Sequence, residues 1–495
     1  RLMQHVESTA NCGFHETLRV SYAIIQVYAS ILDKNEEAVV YAVETLAKLG
    51  CKLPSSKTGV LFAAAKGLLS CKRSAQKVTS EFLDNLPIVT DPVQVGIMKI
   101  LDACVFPFYS VKPEYLPLIA VEMNRVTMKH GITPYAAYSF CFLGFIFTHF
   151  FGDLETGRKF ADHSFALFEK YGFQEIEPKT TFMIYSTLWH WTNPLANNLK
   201  KFYDIYQRGM RVGDSATGFT SAFYYLEAAL YAGRKLESID EDLVNYLKHT
   251  VDFKQEKVAT FMEPLLQCVR NLRGKSRNTT TLTGMVMDEN EKLDFYNQRN
   301  DSLLLSHVYK RKLFLCVVFG EFDLGADIAT REGSNMLKAQ IGQISVPVIA
   351  FHASLCCLAV ARDDSNKNNK RHSKLGRKYR RMIKKWSKNN PNCIFYLKML
   401  DAEKAALLGK YDEAINGYER VITLTGRSGM TLEQALANER LGTIHLGHGN
   451  ISDGKYRFNK SIELYHEWGS TAKTRKLQKH VDTLEDDASP NIIEC

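Results

Sequence analysis

No C-x-x-C pair occurs anywhere in the chain, although its 495 residues include 11 cysteines. That number is odd, the cysteines are scattered, and Cys356 and Cys357 are adjacent. This argues against a disulfide framework and a structural zinc site, and it favours a reducing compartment, the cytoplasm. Strand-like alternation of apolar and polar residues is missing too, which points to an all-α fold. No apolar run reaches the roughly 20 uninterrupted residues of a membrane span. Residues 136–151 include His149 and are too few, and residues 344–361 are broken by Pro347 and His352. No membrane insertion is expected.

Signatures of chemistry are equally scarce. A phosphate-binding loop ending in Gly274-Lys275-Ser276 would need a glycine where Val269 stands, so the lysine lacks a backbone cradle. There is no dinucleotide fingerprint and no Gly-x-Ser-x-Gly elbow. His15-Glu16 is followed by Arg19 where a zinc-protease helix needs its second histidine. The 14 histidines lie apart from one another. No residue is therefore given a catalytic, cofactor-binding or metal-binding role, and the chain is expected not to be an enzyme.

What is present is a repeat. Tyr411, Ala414, Ile415, Tyr418, Val421 and Ile422 follow the period of a helix with one buried stripe. Gly409 precedes them, where an earlier helix (Met399, Ala402, Ala406) must turn back. Forty residues on the pattern returns as Gly449, Ile451, Gly454, Phe458 and Ile462. In both copies a small residue stands five after the glycine and an aromatic nine after it. Residues 151–157 and 320–325 repeat the signature, and Gly213 to Gly218 gives a weaker copy. Helix hairpins recurring in this way predict an α-solenoid of tetratricopeptide-like units.

Punctuation suggests two segments. Residues 38–49 read as a helix stopped by Gly50, with breaks following around Pro87, Asp91-Pro92 and Pro107. Between Arg273 and Asp301 the apolar period fades. The expected organisation is an N-terminal helical-repeat segment over 1–272, a polar linker or long loop over 273–301, a tetratricopeptide-like segment over 302–484 and a frayed tail over 485–495. Thr431 to Gln434 has capping-box spacing and marks a helix start. Trp189-His190-Trp191 before Pro194 reads as a helix end whose tryptophans pack on a neighbouring repeat.

Charge concentrates in one place. From Lys367 to Lys388 there are eleven Lys or Arg residues, and no acid falls between Asp364 and Asp401. Leu375, Tyr379, Met382, Ile383 and Trp386 share one side, which makes a basic amphipathic helix. The candidate partner-binding residues are Lys374, Arg377, Lys378, Arg380, Arg381, Lys384, Lys385 and Trp386. Three occupants suit such a helix: an acidic or calmodulin-like protein, nucleic-acid phosphate or an anionic membrane surface. A fourth reading is a repeat helix that buries its apolar stripe and solvates its basic face.

The order of these pieces carries a resemblance. Leu49-Gly50 to Pro54, Tyr138 to Gly152 with the residues on to Gly172, and Trp191 to Leu195 are similar to the helical region of large AAA- and STAND-type signal-transduction ATPases. So are Gly213-Asp214, Leu282-Thr283-Gly284, Trp386 with Pro391, and Ala402-Glu403. The stretch Tyr465 to Lys473 resembles that family's end-of-repeat signature. Together they cover about residues 30 to 480. The resemblance implies a non-catalytic scaffold or sensor region that meets protein partners or other domains of the same polypeptide. ATP and Mg would then belong to an upstream ATPase domain, with protein kinase, histidine kinase or nucleotide cyclase domains often attached. The start at Arg1 fits a piece of such a longer chain. The rival expectation is a basic helical-repeat nucleic-acid binder using residues 367–388.

Overall fold

The structure is a computed structural model that describes residues 14–32, 34–75, 78–362 and 369–486. It divides into two compact units, Arg1–Leu188 and Trp189–Cys495. In the first unit α1 is Phe14–Gln26, α2 Asn35–Lys48, α3 Lys57–Ala75, α4 Ser80–Asp84 and α5 Pro92–Val111. It continues with α6 Leu116–His130, α7 Ala136–Phe150, α8 Leu154–Tyr171 and α9 Glu177–Met183. In the second unit α10 is Asn198–Val212, α11 Ser215–Tyr231, α12 Leu236–Asp252, α13 Glu256–Leu272 and α14 Glu289–Gln298. Then follow α15 Ser302–Phe319, α16 Phe322–Arg331, α17 Gly333–Ala339, α18 Ser345–Val360 and α19 Asn369–Trp386. The last five are α20 Asn392–Leu407, α21 Tyr411–Arg427, α22 Thr431–Gly447, α23 Ile451–Trp468 and α24 Thr471–Asp486. Within each unit chain neighbours pack as helix hairpins, so the chain is an all-α solenoid of helical repeats. Among the described residues the one β-type pairing is an isolated bridge, Ile88 to Ile132.

The repeat signature has a physical cause at each copy. Gly152, Gly213, Gly320, Gly409 and Gly449 all have positive φ, the left-handed turn that stops one helix. The next helix starts two residues later in every case. The small residue five after the glycine then sits where the two helices are nearest. A Cβ on Gly325 would stand 3.2 Å from Cys316 Cβ of α15 and 2.4 Å from Cys356 Sγ of α18, and one on Gly454 would stand 2.6 Å from Leu446 of α22. Ala414 fills the same place and is fully buried.

Helices of the second unit fall into two kinds. In α15, α18, α20 and α22 buried residues occur all round, including Leu313, Ile349, Met399 and Leu441. Their partners α16, α19, α21 and α23 bury a single stripe and expose the rest. The described end of the chain returns to earlier repeats: Ser470 Oγ donates to Leu272 O at 3.2 Å, and Lys476 Nζ donates to Phe319 O at 2.8 Å.

Residues 273–301 lie inside the second unit and carry α14. The polar residues that mute the apolar period here anchor the loop. Asn271 Nδ2 donates to Thr281 O at 2.8 Å, and Glu289 Oε2 accepts from Leu282 N at 2.7 Å. The expected break at Pro107 does not occur. Helix α5 runs through it to Val111 with Pro107 buried, and core packing on both sides outweighs the lost backbone bond. The helix start expected at Thr431 is present, but Met430 is the capping residue and no side chain bonds there. Residues 363–368 and 487–495 lie outside the described residues, so the expected tail does too from 487 on. Among the described residues one helix, Pro92–Val111, is long and apolar enough to cross a membrane, and 61% of its most apolar window is buried in the fold.

Candidate functional site

The basic segment forms α19 as expected from its spacing. Its apolar side is spent on packing. Tyr379 and Ile383 are buried, and Tyr379 Oη donates to Ala329 O of α16 at 3.3 Å. Gly376 lies so near α18 that a Cβ would stand 2.9 Å from Leu358, and its carbonyl accepts from Ser354 Oγ at 2.8 Å. Trp386 is half-buried and meets the Trp191 ring edge-on, centroids 5.5 Å apart. That face of its ring is engaged in packing.

The other side faces solvent. Lys374, Arg377, Lys378, Arg381, Lys384 and Lys385 are all exposed. Arg380 is half-buried and ion-paired to Asp401 of α20. Arg377 donates to Ser373 Oγ one turn back, and Arg381 Nε donates to Arg377 O at 3.2 Å, so two guanidinium groups are oriented along the helix. A partner that grips an amphipathic helix by its apolar stripe, as a calmodulin-like protein does, finds that stripe already covered. A partner that reads charge finds six exposed cations on about three turns.

The aromatic box beside this helix is structural. Trp191 is buried, and its Nε1 donates to Gly342 O at 3.3 Å. Asn392, at the start of α20, ties the turn down: its Nδ2 donates to His190 O and Asn193 O, both at 2.9 Å, and its Oδ1 accepts from Leu195 N at 2.8 Å. Trp191 packs on a neighbouring repeat through Trp386, and the segment before Pro194 ends in a 3₁₀ turn.

A second feature was not anticipated. A cleft of about 820 Å³ lies where α15, α18, α20 and α22 end against the first turns of α24. Arg362, Arg440, Lys473 and Lys476 line it, with Phe322 and Phe458 among its apolar walls. Behind the arginines sits Glu403, fully buried. Its Oε1 accepts from Arg440 Nη2 at 2.6 Å and from Arg362 Nη1 at 3.0 Å, and its Oε2 accepts from Tyr418 Oη. Burial alone would raise this carboxyl, but Arg440 and Arg362 hold it down at about 2. Lys473 pairs with Glu439 at 2.5 Å, and burial lowers its ammonium despite that partner. Lys476, half-exposed, pairs with Glu321 at 2.7 Å.

These residues come from turns spread over more than a hundred positions, so spacing alone could not gather them. Neither Glu403 nor Arg440 stands out in the sequence, because Lys398, Asp401 and Lys404 share the helix of one and Glu433 and Glu439 that of the other. Among the described residues no group of three His, Cys, Asp or Glu side chains could hold a metal ion. Lys275, of the incomplete phosphate-loop match, is committed to Asp240 at 2.7 Å.

No protein-family model and no curated protein matches the chain. Solved structures do. The chain is similar to Scc4 in a crystal structure of its complex with Scc2n, at 10% identity over 98% of this chain and 92% of that one, with a TM-score of 0.32. It is also similar to a circular tandem repeat protein with novel repeat topology, at 11% identity over 98% and 91%, with a TM-score of 0.14. The fold assignment rests on the hairpins themselves.

Proposed function

We propose that this chain is a non-catalytic helical-repeat scaffold or sensor region of a larger cytoplasmic signalling ATPase, and that it docks an acidic protein segment on the exposed face of α19. The supporting observation is the division of labour on that helix. Its apolar stripe is consumed by α16, α18 and Trp191, while six Lys and Arg side chains stand exposed to solvent. Stacked repeats that contact mainly their neighbours can bend, and bending would pass a docking event along the chain. The nine described cysteines are free and buried, which suits a reducing compartment. ATP and Mg would be bound by an upstream domain and not by these residues.

A fluorescent glutamate-rich peptide and a short nucleic-acid duplex, each titrated in anisotropy at two salt concentrations, test this reading. The peptide should bind the wild-type chain and weaken at least tenfold with Lys384→Glu/Lys385→Glu. The basic face equally suits phosphates, so a tighter duplex with a steep salt slope lost in the same variant would transfer the reading to nucleic acid. Turnover of ATP by a clean preparation of this chain would remove the scaffold reading.

A further inference from the structure

We propose that the cleft at the ends of α15, α18, α20 and α22 is a binding site for a small polyanion held through phosphate or carboxylate oxygens. It is separate from the α19 face and does not depend on that docking.

The argument starts from charge. Four cations line the cleft, Arg362, Arg440, Lys473 and Lys476, and the carboxylates bonded to them are three: Glu403, Glu439 and Glu321. Lys473 pairs with Glu439, which also accepts from Tyr465 Oη, and Lys476 has Glu321 and the Phe319 carbonyl. The two guanidinium groups share Glu403, so among the described residues the cations of the cleft outnumber the carboxylates bonded to them by one. A bound anion would answer that excess of positive charge.

Geometry points the same way. Arg362 meets Glu403 through Nη1, and Arg440 through Nε and Nη2, so each fork keeps donors outside those bonds. The shared carboxylate fixes both side chains, and Arg440 is further held over the Phe322 ring at 4.6 Å. A fork already immobilised binds oxyanions with little further loss of side-chain freedom. The volume, about 820 Å³, is that of a small-molecule site, and Phe322 and Phe458 offer apolar surface to a carbon skeleton.

The alternative is that these cations only neutralise the negative ends of the converging helices. In that case adding an anion changes nothing. The whole chain is titrated calorimetrically at low salt with inorganic pyrophosphate and, separately, with citrate, and its melting temperature is followed with each. Binding of either supports the site, and which one binds more tightly identifies phosphate or carboxylate as the recognised group. Arg362→Gln and Lys476→Gln, both partly exposed positions, should each weaken that binding at least tenfold. Lys384→Glu/Lys385→Glu should leave it unchanged. No binding at millimolar concentration overturns the proposal, as does binding that survives both glutamine variants or is lost instead with the α19 variant. If Arg362→Gln disturbs folding, Lys476→Gln alone decides.

Discussion

Gly144 and Gly157 face one another across the α7/α8 hairpin so closely that a Cβ on Gly144 would stand 2.8 Å from the Gly157 carbonyl oxygen. A Cβ on Gly157 would stand 3.0 Å from the Gly144 carbonyl oxygen and 2.0 Å from Thr148 Oγ1. The helix axes are set by the absence of both side chains, and α7 is buried from Ala136 to Thr148.

Gly144→Val should therefore destabilise the first unit by about 3 kcal/mol, as overpacking of a close contact does. Gly172→Ala is the control. Gly172 has φ +62° with open space around it, so alanine meets only the left-handed backbone penalty of about 1–2 kcal/mol. Urea midpoints of the two variants rank the effects. A Gly144→Val protein as stable as Gly172→Ala would contradict the close approach.

Arg440→Met should cost about 3–5 kcal/mol, because it strands part of a fully buried carboxylate. The pH response follows with a definite sign. Glu403 titrates at about 2 in the folded state, below its unfolded value of about 4.3. Its contribution is fully present above the unfolded value and is lost as pH falls from there through about 2. Urea unfolding measured between pH 6 and pH 3 should show the wild type losing stability over this window. The Arg440→Met slope should be shallower.

Glu433 moves the other way. It is buried on α22, its Oε2 finds no hydrogen-bond partner, and desolvation pushes its carboxyl up to about 8. The unfolded chain loses this proton near pH 4.3 and the folded chain holds it to about 8, so stability contributed here falls as pH rises between those values. Glu433→Gln keeps the neutral shape. It should match the wild type near pH 4 and exceed it by several degrees in melting temperature at pH 8. Equal melting temperatures at both pH values would show that Glu433 ionises normally inside the fold.

Much of the architecture was legible because it is local. Gly409 and Gly449 mark turns that their own φ requires, and Ala414 and Gly454 mark approaches within one hairpin. The basic face of α19 was also legible, since charge and period sit in one stretch. What escaped is non-local or cooperative. Helix α5 passes through Pro107 because the proline itself is buried, with Val105 and Phe108 beside it, a fact no window around the proline contains. Residues 273–301 lost their apolar period but not their order, because Asn271 and Glu289 bond the loop backbone. The cleft unites Arg362, Arg440 and Lys476 from separate turns, and only the folded chain brings them together. The attached ATPase and effector domains expected from the family resemblance belong to the proposed function.

Asn392 and Trp191 provide the last prediction. Three backbone groups of residues 190–195 bond the Asn392 amide, and the turn they form holds the Trp191 ring against Trp386. Asn392→Ala removes all three bonds and leaves part of that backbone without partners, which should cost about 2–3 kcal/mol. Releasing the turn would also admit water to a buried indole, so tryptophan emission should shift to the red before global unfolding. Asn392→Asp separates the two roles of the amide: its carboxylate still accepts from Leu195 N but cannot donate to the His190 and Asn193 carbonyls. It should fall between wild type and alanine in stability. An alanine variant with native emission and an unchanged urea midpoint would mean that the ring pair, and not the amide, holds this turn.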